Sequence, residues 1–323
     1  MPKRVRNLSR REFAAMAAFA LPGVSALRTL APSHLGASTF APSHLGTSPL
    51  APWSSDTLAP FAGVVVGAIT YSFRSIPKAE DIVADMKQIG LTEVEVMSNH
   101  VEALAGAPAG GRRGASPALL EWRKNATPAM FQIARKKFND AGIEVRFLTY
   151  NMSKATTDEE IAYAFAMAEA LGVKAITTST QVSVAQRIAP FADTHKMMVG
   201  FHGHSSVEQP DEFATPESFA KAMAMSKYHG VNLDIGHFTA ANYDAVAYIK
   251  EHHARITNLH LKDRKKNQGP NMPWGQGDTP IREVLLLLKT EGWDIPANIE
   301  FEYPGDAIAE VTKCFQFCKD ILK

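Results

Sequence analysis

The run Val231-Asn232-Leu233-Asp234-Ile235, a helical stretch over residues 242–253 and the run Ile256-Thr257-Asn258-Leu259-His260-Leu261 decide the fold. Aliphatic and β-branched residues dominate both runs, which suits strands. A helix between two strands implies a parallel pair joined by a right-handed crossover. The same alternation extends in both directions. Strands are expected at Gly63–Tyr71, Glu93–Met97, Glu144–Tyr150, Lys174–Ser179, Met197–His204, Val231–Ile235, Ile256–Leu261 and Asn298–Tyr303. Helical patterns lie near 79–90, 127–141, 157–171, 181–195, 216–229, 242–253, 280–291 and 306–322. Gly90, Gly142, Gly172, Gly230 and Gly292 stand where helix ends are expected. Eight strand–helix units favour a closed (β/α)8 TIM barrel over an open sheet. No Gly-x-Gly-x-x-Gly turn follows the first strand, which argues against a dinucleotide site.

Ahead of the barrel the composition changes. Lys3, Arg4 and Arg6 lead into Ser9-Arg10-Arg11-Glu12-Phe13 and then an Ala-rich apolar run. A basic segment followed by a short apolar one has the layout of an export signal, and the arginine pair resembles a bacterial twin-arginine signal. Residues 1–30 are therefore expected to be a signal peptide of an exported, periplasmic protein. Residues 31–61 are expected to be a linker. There Ala31-Pro32-Ser33-His34-Leu35-Gly36 recurs as Ala41-Pro42-Ser43-His44-Leu45-Gly46, and the prolines forbid a regular helix. Residues 62–323 make one catalytic domain.

Composition excludes several classes. The formal charge is +1, and residues 61–323 carry 28 basic against 31 acidic side chains. This is not the footprint of a nucleic-acid binder. Two cysteines cannot build a disulfide framework, and Cys314 and Cys318, four apart on the last helix, are expected as buried thiols. No apolar run is long enough for an integral membrane segment. Assembly into a homo-oligomer is left open.

In a TIM barrel the active site sits at the C-terminal ends of the strands. Those regions offer Glu93 and Glu95 on strand 2, His202 and His204 on strand 5, and Asp234 with His237 on strand 6. Strand 7 adds His260, Lys262 and Asp263; strand 8 adds Glu300 and Glu302. Residues two apart on a strand face the same side, so each such pair can face the lumen. Imidazole with carboxylate oxygen suits one divalent transition metal, Mn, Co, Zn or Fe. Each residue alone reads equally as a structural one; the convergence of four successive strands is what points to a site. Tyr71 and Trp274 are candidates to stack on a ligand ring. Trp122 and Trp293 are read as packing, and Arg112-Arg113 as part of an exposed loop over Asn99–Leu120.

Strand 1 (Val66 to Phe73), Asn232-Leu233-Asp234-Ile235-Gly236-His237, Leu259-His260-Leu261-Lys262-Asp263 and Trp274-Gly275-Gln276-Gly277-Asp278 together resemble the xylose-isomerase-like TIM barrel superfamily. This group contains sugar isomerases, ketose 3-epimerases, inosose dehydratases and endonuclease IV. The resemblance implies one divalent metal held by an Asp on strand 6, a His on strand 7 and a Glu on strand 8. Asp234, His260 and Glu300 match these, with Glu302 the alternate. On strand 5 the epimerases place a metal-bound Glu, whereas this chain has His202-Gly203-His204. His204 is taken as the fourth ligand, with His202 as the other choice. His237, Glu302, His202 and Lys262 are then left for catalysis, and Tyr71, Glu95, Trp274 and Asp263 for a small carbohydrate substrate. His237 reads equally as a base or as a hydrogen-bonding partner that orients Asp234.

The expected function is a metal-dependent sugar isomerase or epimerase that removes a proton next to a carbonyl. The alternatives are an exported 3-keto-glycoside lyase or hydratase and a non-catalytic carbohydrate-binding barrel.

Overall fold

The computed structural model describes Phe61, residues 63–110 and residues 115–323. The expected signal peptide, the expected linker up to residue 60 and Arg112-Arg113 lie outside them. Eight strands follow: β1 (Val66–Ile69), β2 (Glu93–Met97), β3 (Glu144–Thr149), β4 (Ala175–Thr178), β5 (Met198–His202), β6 (His229–Asp234), β7 (Ile256–Leu261) and β8 (Ala297–Ile299). They pair in parallel and in chain order, and β8 returns to β1 through Val66–Ala297 and its neighbours, closing the barrel. The fold is a (β/α)8 TIM barrel.

The outer layer holds α1 (Ala79–Ile89), α2 (Ser98–Leu104), α3 (Pro117–Asn125), α4 (Pro128–Asp140), α5 (Asp158–Leu171) and α6 (Val182–His195). It continues with α7 (Pro216–Met223), α8 (Ile235–Ala240), α9 (Ala245–His252), α10 (Ile281–Glu291) and α11 (Ala307–Leu322). α5 shows why these segments are helical. Thr157 and Glu160 form a reciprocal capping box, three acidic residues fill the first turn, and Gly172 ends the helix in the left-handed region at φ 64°. Among the described residues no helix is long and apolar enough to cross a membrane.

Strand alternation divides the side chains. Val94 and Val96 of β2, Val231 and Leu233 of β6, and Leu259 and Leu261 of β7 join the apolar core with the helices. Their alternates, Glu93, Glu95, Asn232, Asp234, Asn258 and His260, are buried polar residues, as is Asn298 of β8. Asn258 Nδ2 donates to Glu95 Oε2 at 2.7 Å and to Asn298 Oδ1 at 2.9 Å, and Asn298 Nδ2 donates to Glu93 Oε2 at 2.6 Å. This barrel is therefore filled by a hydrogen-bonded layer where branched aliphatics are usual. Gly67 makes room for it, because a β-carbon there would overlap the Glu93 carboxylate.

Several boundaries differ from expectation. β5 stops at His202, and β8 stops at Ile299, so Glu300 and Glu302 sit in the following loop. The helix expected over 216–229 ends at Met223, and Gly230 lies within β6, where its missing side chain lets the Arg255 carbonyl approach. The loop expected over Asn99–Leu120 contains α2 and the start of α3. Cys314 and Cys318 are buried and unbridged.

Candidate metal centre

Four strand ends each bring a side chain to one point. His202 ends β5, Asp234 ends β6, His260 is the penultimate residue of β7, and Glu300 follows β8. One ligand-type atom from each lies within 4.8 Å of the others, and all four residues are buried. Glu300 Oε2 lies 3.0 Å from His260 Nδ1, and both Glu300 Oε2 and Asp234 Oδ2 lie 3.7 Å from His202 Nε2. Asp234 Oδ1 turns away to accept the His237 N–H at 2.7 Å, capping α8. This leaves its Oδ2 toward the cluster.

Three further groups surround these four. Lys262, 2% exposed, places its ammonium 2.9 Å from Asp234 Oδ2, 2.9 Å from Glu300 Oε2 and 2.7 Å from Glu302 Oε2. His237 Nε2 is 3.1 Å from that ammonium, and its Nδ1 is 2.7 Å from an Arg264 nitrogen. Glu95 Oε2 lies 2.6 Å from His260 Nε2, and Glu95 Oε1 accepts from Thr149, Thr177 and Asn232. A cavity of about 360 Å³ opens above the cluster, with Tyr71, Thr149, Thr177, His204 and Glu302 also in its wall.

The electrostatics favour a bound cation. Burial opposes charge on His202, but Asp234 and Glu300 more than offset it and raise the imidazole above its ordinary pKa. His260 is likewise raised well above the ordinary range, because Glu95 and Glu300 outweigh its burial. Burial also opposes the Lys262 ammonium, and Asp234, Glu300 and Glu302 together hold it charged. Burial and the Lys262 charge push His237 well below the ordinary imidazole range. His202 Nε2, although buried, makes no hydrogen bond among the described residues. An unpartnered nitrogen facing two carboxylates, with a second imidazole alongside, is a mixed donor set suited to Mn, Fe, Co or Zn. The four residues can bind a divalent metal. With Nε2–H given to Glu95, His260 would present Nδ1 to it, a carboxylate–histidine–metal arrangement.

Three expectations change. His204, expected as the fourth ligand, stands outside the cluster. The parity argument fails because β5 ends at His202, and His204 Nδ1 lies 3.1 Å from Glu212 Oε2. Asp263, expected at the substrate, is buried, and its carboxylate accepts the backbone N–H groups of Gly275, Gly277 and Thr279. It anchors a loop. Trp274 lies outside the cavity wall and packs edge-on against Phe317 at 5.9 Å. Glu95 does reach the cavity, but its bonds tie it to His260. Trp122 packs against Phe131, and Trp293 stacks on His253. The sequence reading passed over Asn232 and Asn258, although both share parity with a ligand two residues on. Arg264 gave no signal within its basic run.

Fold and cluster together define a TIM barrel with a candidate metal site at the C-terminal ends of its strands. Residues 159–319 match the profile of the xylose isomerase-like TIM barrel family, and the chain belongs to that family. Solved structures share the fold. The probable 3-DHS dehydratase AsbF of Bacillus anthracis is 15% identical, with a TM-score of 0.60 over 79% of this chain and 98% of that one. A zinc-bound IOLI protein is 13% identical at a TM-score of 0.59, over 80% of this chain and 97% of its own. A sugar phosphate isomerase/epimerase from Parabacteroides distasonis is 14% identical at 0.57, over 78% and 94%. No curated protein matches the chain.

Proposed function

We propose that this protein is a divalent-metal-dependent enzyme of the isomerase/epimerase type that removes a proton next to the carbonyl of a sugar or keto-sugar. The observation that carries this reading is the convergence of His202, Asp234, His260 and Glu300 beneath a cavity that also presents Lys262 and Glu302. A divalent cation held by the four would supply Lewis acidity toward a carbonyl oxygen.

The chain's own residues divide the remaining work. Glu302 is the candidate base. Its side chain is 22% exposed at the cavity wall, whereas both His237 nitrogens already face the cationic donors Lys262 and Arg264. The substrate C–H proton passes to the Glu302 carboxylate, and the bonding electron pair moves toward the carbonyl oxygen. The Lys262 ammonium meets the charge that develops there. His237 meets the Lys262 ammonium through Nε2 and donates its backbone N–H to Asp234 Oδ1, which keeps both aligned. Return of the proton to the neighbouring carbon is isomerisation, and return to the opposite face is epimerisation. Loss of a group from the next carbon would make the protein a lyase.

The test is metal analysis followed by NMR of ketoses and keto-glycosides with the metal-loaded protein in D2O. We expect solvent deuterium at one carbon beside the carbonyl, with the product naming the reaction class. A metal-loaded protein that exchanges no proton in any sugar would overturn the enzymatic reading in favour of a binding barrel. We propose further that residues 1–30 export the protein by a twin-arginine route. Replacing Arg10 and Arg11 with Lys should then retain it in the cytoplasm; unchanged periplasmic accumulation would refute the route.

A further inference from the structure

A second cavity of about 720 Å³ adjoins the first at the C-terminal ends of β1–β3. Met97 and Asn151 line both spaces, so one ligand can occupy the two together. The 3-10 turn after β1 bridges them as well: Tyr71 lines the inner cavity, Arg74 lines the outer one, and the Arg74 guanidinium sits 4.9 Å over the Tyr71 ring. Asn151 Oδ1 accepts the Ser179 N–H at 2.9 Å, which holds its amide at the junction.

Size and chemistry bound the occupant. Cavities for whole small ligands run from roughly 300 to 1,000 Å³. The inner space, at the low end, suits a single sugar ring, and the outer one is twice as large. Only part of its charge is paired within the protein: the exposed Arg74 guanidinium donates to the Phe301 carbonyl at 2.6 Å and has no carboxylate within 4 Å among the described residues. Arg123 forms a two-pronged ion pair with Glu102 at 2.7 and 3.1 Å, and Glu160 caps the Thr157 N–H. Burial pushes His100 down to about 4, leaving a neutral imidazole whose Nδ1 lies 2.9 Å from Thr70 Oγ1. The Ser98 and Asn99 side chains, also in the wall, make no hydrogen bond among the described residues. These hydroxyl, amide and imidazole groups around a roomy trough, with the Arg74 guanidinium as a further donor, complement the hydroxyls of a saccharide.

We infer that the outer cavity is a subsite for a second sugar ring, and that the substrate is a glycosylated keto-sugar rather than a monosaccharide. This rests on the reading that the inner cavity holds the reacting sugar.

Calorimetry on the metal-loaded protein tests it, with fructose compared against turanose, maltulose and isomaltulose, which carry a glucosyl ring at three different hydroxyls of the ketose. At least one disaccharide should bind tenfold or more tightly than fructose. Ala103→Trp fills the outer cavity from an exposed position on α2 and should erase that margin while leaving fructose binding unchanged. Ala109→Trp does the same from the far wall and covers the case in which the first variant folds poorly. The inference is overturned if fructose binds as tightly as every disaccharide. It is also overturned if the tryptophans weaken both classes equally or neither. If no sugar binds at all, the proposed function fails, and this subsite fails with it.

Discussion

β1 to β4 end in Ile69, Met97, Thr149 and Thr178, whereas β5 and β6 end in His202 and Asp234, and β7 and β8 bring His260 and Glu300 to the same level. Both halves use parallel strands covered by helices, so architecture alone does not separate them. Charge does. The second half supplies the four ligand-type groups and Lys262, within the 159–319 stretch that matches the family profile. The first half supplies Tyr71, Thr149 and Thr177 to the inner cavity and most of the outer cavity wall, where Arg123 and Glu102 pair with each other. On the proposed function, one half would hold the cation and move the proton, and the other would recognise the substrate. Glu95 is the exception, a first-half carboxylate that reaches across the lumen to His260.

The largest effect should follow from His260→Ala. Loss of one inner donor weakens and opens the site. Metal content and turnover should fall together, turnover by about 10³-fold or more, given that even outer-shell changes cost about 10–100-fold. Metal analysis alongside the deuterium-exchange assay reads both. A full metal complement with normal exchange would remove His260 from the centre.

Lys262→Met should come next. It leaves Asp234, Glu300 and Glu302 facing each other in a buried site. Breaking such a pairing costs about 3–5 kcal/mol. A divalent cation can replace the missing charge, so the loss of stability should be largest in chelator and much smaller with metal. Thermal melts in the two conditions show this; an equal loss in both would mean that the lysine and the cation do not share those carboxylates.

Glu95→Gln sharpens the division between halves. If Glu95 orients His260, metal affinity should drop about 10–100-fold although Glu95 lies outside the four-residue group, with activity restored by excess metal. A variant that keeps its metal affinity but binds sugar poorly would return Glu95 to the substrate side.

How much of this could be read in advance follows the same line. The barrel was legible because strand and helix periodicities are local properties that repeat eight times. Asp234 and His260 were legible as candidates because they stand in the last two residues of hydrophobic runs that do form strands, whereas Glu300 was read inside a strand and stands just after one that ends at Ile299. His204 was misplaced because nothing local marks β5 as ending at His202. Its last rung is set by pairing with Asn232 of β6, next to a register shift in the β6–β7 pair between Val231 and Asn232. Trp274 and Asp263 failed for a related reason: the loop after β7 folds back on the Asp263 carboxylate, a long-range choice that spacing does not encode. The outer cavity depends on where α2 and α3 settle, and no motif announces it.

The smallest effect tests the floor of the lumen against its mouth. Glu93 shares β2 and parity with Glu95, yet it meets Asn298 instead of an imidazole, and its Oε1 has no partner among the described residues. Burial raises its carboxyl to about 8 from an ordinary 4.5, so at neutral pH the folded protein keeps it protonated. A raised folded-state value means that the folded form binds the extra proton. The associated stability is complete below about pH 4.5, declines as pH rises through the window to about 8, and is lost above it. Glu93→Gln keeps the shape, accepts the Asn298 amide and carries no titrating proton. The variant should match wild type near pH 4.5 and be the more stable by on the order of 1–2 kcal/mol at pH 8, a fraction of the full shift because buried carboxyls relax. Denaturant unfolding at the two pH values measures the gap. A gap that stays constant with pH would show that Glu93 is ionised in the native barrel. Its charge would then have to be balanced by Arg146, the cation that favours its ionised form, making the floor an ion-paired layer like the mouth.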